Sequence, residues 1–270
     1  MALTPEIVLS GFAFPESLRW HNQQLWFSDV LTGEVHRSSL DGITEIVTHV
    51  SPTVSGLGWL PTGELLVVDC DARQIVRISE TGEKHLHADL SSHWRFPAND
   101  MLVDDDGTAW VGSYGFNPEA DAPVPSSMLK VSNTGEVIGE VPDLVFPNGA
   151  GRIDSNHFIV SETFAGRLAI VNTEGTPKVI RRIELPDGST PDGLAVKDDG
   201  SVWVALAYSE CVVRIDLETG KSERAIELPG IGVYDCTFID SNTLLIATSD
   251  KDESHVVEDR PGKILKVTVG

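Results

Sequence analysis

The sequence predicts an all-β fold, a six-bladed β-propeller that occupies residues 1–270 as a single domain. Three observations lead to this prediction. One hairpin-forming unit recurs six times, its copies follow one another at a spacing of about 40 to 50 residues, and no segment keeps the apolar periodicity of a helix over three turns. A propeller blade is a small antiparallel sheet of four strands, so a repeat of this length and composition is typical of one blade.

The clearest copy of the unit covers residues 191–205, with the sequence PDGLAVKDDGSVWVA. Two short runs of β-branched and aromatic residues flank the dipeptide Asp199-Gly200, which is a preferred hairpin turn. A second pair of strand-like runs follows this hairpin, at residues 211–216 and 223–226, which gives four predicted strands in the unit. Related copies begin at Pro15, Ala98 and Pro147, and looser copies begin at Ser55 and Val233.

The six copies can be compared at one point of the unit. The residues at that point are separated by steps of 40, 43, 49, 44 and 42, and they are Glu16, Gly56, Asn99, Asn148, Asp192 and Tyr234. The innermost strand of each propeller blade lines the central channel, so residues at one phase of the repeat converge on the channel axis. We therefore expect the polar side chains of Glu16, Asn99, Asn148 and Asp192 to meet there.

Two carboxylates and two carboxamides from four blades form a set of hard oxygen ligands, which suits Ca²⁺ or Mg²⁺. Asn148-Gly149 and Asp192-Gly193 are also favoured turn dipeptides, so a turn is the simpler explanation of either one alone. In the two clearest copies, however, the Asp-Gly turn comes later, at Asp106-Gly107 and Asp199-Gly200. The shared phase therefore favours a polar site in the channel over a set of turns.

The two ends of the chain and one insertion complete the predicted architecture. Residues 6–9 and 263–267 are predicted strands, and the first can complete the last blade, which leaves no open edge between the last and first blades. Residues 114–125 form the insertion, with three prolines and no β alternation. We expect it to be a loop over the channel mouth that contacts a substrate through Tyr114, Phe116 and Glu119.

Composition limits the classes of partner and the location. The net charge is −21, which argues against nucleic acid and anionic membranes because both are bound by basic surfaces. The chain lacks the apolar run of roughly 18 residues that a transmembrane helix needs, and we expect no signal peptide. Cys70, Cys211 and Cys236 form no CxxC pair and are predicted to be buried free thiols, so the cytoplasm is the expected location. The sequence does not specify the oligomeric state.

Several short motifs extend in order across nearly the whole chain. They are PESLRW at 15–20, PANDMLVDDDGTAWVGS at 97–113, PNGA at 147–150, SETFAGRLAIV at 161–171, PDGLAVKDDGSVWVALAY at 191–208 and PGKILKVTV at 261–269. Through these motifs the chain resembles the SMP-30/gluconolactonase/LRE-like family, which includes regucalcin. The resemblance implies a six-bladed propeller with one divalent cation in its channel, held by Glu16, Asn148 and Asp192. Asn99 would lie beside the ion and contact it or the substrate. Ca²⁺ is the expected ion, with Mg²⁺, Mn²⁺ or Zn²⁺ as alternatives.

The resemblance also implies a reaction, the hydrolysis of a small-molecule lactone or similar ester, with Asp192 as base or nucleophile and Asn99 as the second catalytic residue. Members that act on sugar lactones carry an Arg-x-Asn-Asp run before the third blade. Here Arg95 stands two residues further from Asn99, so a sugar substrate is not assigned. Arg95 and, in the last blade, Tyr234 are candidate substrate contacts.

Two alternatives belong to other functional classes. Another enzyme on the same scaffold would perform a strictosidine-synthase-like condensation without metal, or a phosphotriesterase-like hydrolysis. Retention of all four polar channel residues argues against the metal-free condensation. A non-catalytic calcium-binding protein is the second alternative, which loss of the metal without loss of function would favour. The acidic run at residues 250–253 is predicted to be a solvated loop.

Overall fold

Six four-stranded antiparallel sheets form the fold, and their innermost strands follow one another in a closed ring. The structure is a computed structural model that describes residues 3–269. Each sheet is one blade, and each innermost strand contacts the innermost strands of both neighbouring blades, including the last and the first. The predicted all-β, six-bladed propeller is therefore confirmed.

The strands are numbered in chain order, and β1 (Glu6–Phe12) precedes the first blade. Within each blade the strands are given from the innermost outward. Blade 1 contains β2 (Pro15–His21), β3 (Gln24–Asp29), β4 (Glu34–Ser38) and β5 (Thr44–His49), and blade 2 contains β6 (Val54–Trp59), β7 (Leu65–Asp69), β8 (Gln74–Ile78) and β9 (Lys84–Asp89). Blade 3 contains β10 (Ala98–Val103), β11 (Ala109–Ser113), β12 (Ser126–Val131) and β13 (Val137–Leu144). Blade 4 contains β14 (Pro147–Arg152), β15 (His157–Glu162), β16 (Arg167–Asn172) and β17 (Lys178–Glu184). Blade 5 contains β18 (Pro191–Val196), β19 (Ser201–Leu206), β20 (Cys211–Asp216) and β21 (Ser222–Glu227).

Blade 6 contains both ends of the described chain. Its strands are β22 (Gly232–Phe238), β23 (Thr243–Ser249), β24 (Gly262–Thr268) and, outermost, β1. Glu6 lies opposite Lys266 and Phe12 opposite Gly262 in the antiparallel pair of β1 and β24. The expected closure by an N-terminal strand is confirmed, and it removes the free edge that β24 would otherwise present.

The apolar core lies between the blades. Six separate clusters of buried side chains each join two consecutive blades, from blades 1 and 2 round to blades 6 and 1. Trp26, Trp110 and Trp203 belong to these clusters and are at most 9% exposed. Both faces of the second strand of each blade are covered in this way, so strands such as β7, β19 and β23 are nearly continuous apolar runs.

Short helical turns occur at only three places in residues 3–269, namely Thr163–Ala165, Glu253–His255 and Val256–Asp259. None of the helices in this part of the chain is long and apolar enough to cross a membrane. Cys70, Cys211 and Cys236 are buried and free, as predicted, and each packs in one of the clusters between blades.

Candidate functional site

The innermost strands depart from regular pairing near their beginnings. The register shifts between Glu16 and Arg19 in β2, and equivalent shifts follow Ala98 in β10, Pro147 in β14 and Pro191 in β18. Extra residues without a partner on the neighbouring strand bend a strand and re-aim its side chains. A residue one or two positions after the first paired residue of an innermost strand can therefore face the channel.

One cavity of about 690 Å³ occupies the channel and receives one such residue from each blade. These six residues are called the channel ring, and they are Glu16, Ser55, Asn99, Asn148, Asp192 and Tyr234. Five of them stand at the position predicted from the repeat, whereas the choice of Gly56 in blade 2 was wrong by one residue. Val54 pairs with Asp69 as Pro147 pairs with Glu162, so Ser55 is the equivalent of Asn148. Blade 2 lacks the proline that precedes the channel residue in blades 1, 4 and 5, and its copy was aligned one residue too far along the chain.

Glycine follows the channel residue in blades 4 and 5 because the innermost strands approach closely there. Gly149 lies within β14 and Gly193 within β18, and neither has a positive φ. A Cβ added to Gly149 would lie 2.5 Å from the Cα of Gly193, and one added to Gly193 would overlap the carboxylate of Asp235. The Asn-Gly and Asp-Gly dipeptides are therefore strand-packing sites, and the alternative that they are turns is wrong.

Glu16 and Asp192 border the cavity, and no basic side chain among residues 3–269 forms an ion pair with either of them. Asp192 is only 5% exposed, and within residues 3–269 neither carboxylate has a hydrogen bond or an ion pair. Burial, followed by the charge of Asp192, raises the pKa of Glu16 well above its ordinary value. Burial and the charge of Asp235 raise the pKa of Asp192 in the same direction. Asp192 is buried and Glu16 is half-buried. Carboxylates that are partly withdrawn from water and have no partner are costly, so this arrangement favours a bound cation.

The two carboxamides add oxygen atoms to the same place. Asn148 Nδ2 donates to Thr163 Oγ1 at 3.2 Å, and Asn99 Nδ2 donates to the Pro147 carbonyl at 3.4 Å. These bonds leave each Oδ1 as the atom available to a ligand. The described cavity lining contains no His or Cys, so its donors are oxygen atoms. This set fits a hard cation, and because Ca²⁺ takes about six to eight oxygen ligands, positions would remain for water and substrate.

Aromatic side chains form much of the cavity wall. The Tyr114 and Phe146 rings stack with centroids 4.4 Å apart, and the Phe14 and Tyr234 rings lie 4.3 Å apart. Phe164 and Tyr208 also border the cavity. An apolar wall with a few convergent polar groups is the usual construction of a small-molecule site.

The loop at residues 114–125 connects β11 to β12 and borders the cavity through Tyr114, Pro118 and Glu119. Phe116 is 2% exposed and does not reach the cavity, because its ring packs edge-on against Phe146 and Phe164. It supports the wall from behind, so the structure does not place it as a direct substrate contact.

Arg95 also lies outside the cavity. It borders a separate, smaller cavity of about 390 Å³, and its guanidinium lies 5.4 Å from the ring centroid of Phe96. Phe96 and Pro97 separate Arg95 from the start of β10, so the guanidinium stays at the outer surface while Asn99 enters the channel. Of the six predicted substrate contacts, the structure brings Asn99, Tyr114, Glu119 and Tyr234 to the cavity.

The sequence analysis missed a second loop at the cavity mouth. Residues 250–253 are exposed, as predicted, but Lys251, Asp252, Glu253 and Ser254 also border the cavity, which the prediction did not include. Tyr208 also borders it and donates its hydroxyl hydrogen to Glu253 Oε1 at 3.1 Å. The overlooked signal was topological: residues 250–261 connect the second and third strands of blade 6, as residues 114–125 do in blade 3.

Arg19, Asp100 and Asp235 form a charged layer next to the channel ring. Asp100 and Asp235 directly follow the channel residues Asn99 and Tyr234 in the sequence. Arg19 Nη2 donates to Asp100 Oδ1 at 2.8 Å and to the Met101 carbonyl at 2.9 Å, while its Nε donates to the Leu57 carbonyl at 3.2 Å. Its Nη1 lies 3.9 Å from Asp235 Oδ2. One guanidinium thus links blades 1, 2, 3 and 6 around the axis.

The described residues contain another group with metal-ligating atoms, formed by Asp29, Glu34 and His36, whose ligand atoms lie within 4.8 Å of one another. Two backbone N–H groups donate to the Asp29 carboxylate, and His36 Nε2 lies 3.2 Å from Glu34 Oε2. Arg260 Nη1 lies 3.7 Å from Asp29 and 3.9 Å from Glu34. An arginine therefore already supplies the positive charge here, which favours a structural role.

Comparison with known proteins gives consistent results. Residues 14–250 match the family described as the SMP-30/Gluconolactonase/LRE-like region. Pentonolactonase XacC of Haloferax volcanii is 24% identical over 243 residues, which are 86% of this chain and 80% of that protein. The structure of a calcium-binding protein, regucalcin, from Agrobacterium tumefaciens has a TM-score of 0.79 at 21% identity, and the match covers 100% of this chain and 96% of that one. A luciferin-regenerating enzyme has a TM-score of 0.83 at 18% identity, with 99% and 95% covered. At these identities the two structures show the fold alone.

Proposed function

Because the chain belongs to the SMP-30/gluconolactonase/LRE-like family, we propose that it is a divalent-metal-dependent hydrolase of small-molecule lactones. The observation that carries the proposal is the pair of unpartnered carboxylates, Glu16 and Asp192, set among carboxamide oxygens in a cavity of small-molecule size. The similarity to a pentonolactonase supports the lactonase part of the proposal.

Glu16, Asn148 and Asp192 would hold the ion, with Asn99 beside it. Ca²⁺ is the ion that this oxygen-only set favours, since neither thiolate nor imidazole borders the described cavity. When bound, a divalent ion polarises a carbonyl oxygen and stabilises negative charge that develops on it.

Asp192 has the chemistry of the general base in this proposal. Its carboxylate accepts a proton from the attacking water, whose oxygen forms the new bond to the acyl carbon. The acyl–oxygen bond of the ring then breaks, the ring oxygen takes up a proton as an alcohol, and the product is an open hydroxy acid. At neutral pH that acid releases one proton to solvent. Asn99 would orient the lactone carbonyl, and the Tyr114 and Tyr234 rings would limit how the lactone ring can lie.

A hydrolysis assay with metal removal and replacement tests this proposal. Proton release would be followed with γ- and δ-lactones, a simple aryl ester and a phosphotriester, before chelation, after chelation and after addition of Ca²⁺, Mg²⁺, Mn²⁺ or Zn²⁺. We expect hydrolysis of at least one lactone, loss of turnover on chelation and recovery with one divalent ion. Full turnover after chelation, or turnover of the phosphotriester alone, would contradict a metal-dependent lactonase.

A further inference from the structure

The mouth of the cavity is strongly acidic. Glu119 lies on the loop between β11 and β12 of blade 3, and Asp252 and Glu253 lie on the loop between β23 and β24 of blade 6. These three residues are called the acidic rim. A divalent ion at the channel ring would offset the charges of Glu16 and Asp192, but it would leave the acidic rim uncompensated.

The positive groups near the cavity are already engaged. Lys251 is the one basic side chain on the described cavity lining, and its Nζ forms an ion pair with Glu210. Arg19 lies beyond the channel ring and is bound to Asp100, while Arg95 borders the other cavity. Among residues 3–269, therefore, no free cation is available at the mouth to receive an anionic substrate.

Two rim carboxylates are close enough to influence each other across the mouth. Burial raises the pKa of Glu253, the hydrogen bond from Tyr208 opposes this rise, and the charge of Glu119 adds a smaller increase. The Tyr208 hydroxyl donates to Glu253, and the Tyr208 side chain is 45% exposed beside it. An exposed aromatic ring next to a carboxylate favours a positively charged group, because the ring face attracts cations.

We propose that the acidic rim selects substrates by charge, admitting cationic and neutral lactones and disfavouring anionic ones, with Glu119 and Glu253 as the specificity-determining residues. This inference rests on the proposed lactonase function and names the substrate class of the same site. Hydrolysis makes the interaction with the rim unfavourable, because a neutral lactone becomes a carboxylate that the rim repels. The rim therefore also favours product release.

Three γ-butyrolactones that differ only in one substituent would test the inference. The substituent is a trimethylammonium, a hydroxyl or a carboxylate group, so the charge is fixed across the working pH range. kcat/KM would be measured for the wild type, Glu119→Gln, Glu253→Gln and the double variant at low and high salt. We expect the order cationic, neutral, anionic. Relative to the value for the neutral lactone in the same variant, each substitution should lower the cationic value and raise the anionic value about threefold at low salt.

Glu258→Gln is the matched control, since Glu258 is exposed on the same segment but does not border the cavity. Equal rates for the three lactones, an order that persists in the double variant, or the same change in Glu258→Gln would overturn charge selection while leaving the lactonase function intact.

Failure of the proposed function would look different, because none of the lactones would then be hydrolysed. In that case the dissociation constants of the same three compounds, measured by calorimetry, decide the inference independently. The same order of affinity, collapsing in the double variant, would support it. Equal affinities, or no measurable binding of the cationic lactone, would overturn it.

Discussion

Replacing Arg19 with Met should destabilise the propeller far more than its single position suggests. The guanidinium is the centre of the charged layer, where it makes one hydrogen bond to Asp100 and others to three backbone carbonyls from three blades. Asp100 is 4% exposed and Asp235 is 3% exposed. Methionine would keep much of the packing volume but leave both carboxylates without their cation.

The expected loss of unfolding free energy is about 3–5 kcal/mol, the usual cost of removing one partner from a buried ion pair. For a chain of this size each kcal/mol corresponds to about 2–4 °C in Tm. Burial raises the pKa of Asp235 to about 7, although Arg19 lowers it. Without Arg19 this pKa rises further, so the folded variant binds more protons than the unfolded chain. Its stability therefore falls as pH rises, and the deficit should be larger at pH 8 than at pH 6.

Urea unfolding at the two pH values would measure the effect, with Arg224→Met as the matched control. Arg224 also makes a two-pronged ion pair, at 2.6 and 2.7 Å to Glu227, but both side chains are more than half exposed. Exposed pairs contribute about 0–1 kcal/mol, so the control should lose little. Equal losses for Arg19→Met and Arg224→Met, or a deficit independent of pH, would refute the role assigned to the charged layer.

Three further predictions concern closure, the loop and the ion. Deleting residues 1–10 removes most of β1 and the buried Leu9, so Tm should fall by about 6–12 °C, and an unchanged melting curve would contradict closure by this strand. Removing residues 117–122, which spares Phe116, should raise KM severalfold with little change in unfolding free energy; the reverse pattern would show that the loop is only structural. The pKa values of Glu16 and Asp192 are raised, so without metal the folded protein loses stability as the pH rises through these pKa values. At low pH, Ca²⁺ must displace the protons that the two carboxyl groups carry. The rise in Tm on adding Ca²⁺ should therefore be larger at pH 8 than at pH 5, and an equal rise at both would count against this pair as the site.

The repeat made the architecture predictable, because each copy carries both its hairpin and its channel residue at a fixed offset. Prolines at positions 15, 147 and 191 mark that offset, which is why Glu16, Asn148 and Asp192 were found. The offset failed at Gly56, where no proline marks it. The sequence pattern also does not show whether a glycine lies in a turn or, like Gly149, lies in a strand where the lack of a Cβ makes room for the neighbouring strand.

Residues that reach the cavity from connecting loops were harder to predict. Loop side chains follow no repeat phase, so Phe116 was expected at the cavity although it packs behind Phe146, and Glu253 was not expected there. Arg19 was missed for another reason. Its partners are Asp100 and Asp235, which lie 81 and 216 positions away in the sequence, and only closure of the ring brings them together.

Calorimetric titration of Ca²⁺ into four proteins tests the central claim most directly. The wild type would be compared with Glu16→Gln, Asp192→Asn and the control Asp199→Asn, whose carboxylate lies in the β18–β19 turn and accepts a bond from the Ser201 N–H at 2.9 Å. We predict one site per chain, weakened at least about tenfold in Glu16→Gln and Asp192→Asn because each loses a charged ligand, and unchanged in Asp199→Asn. Wild-type affinity in Asp192→Asn, or an equal loss in Asp199→Asn, would contradict a cation site at the channel ring.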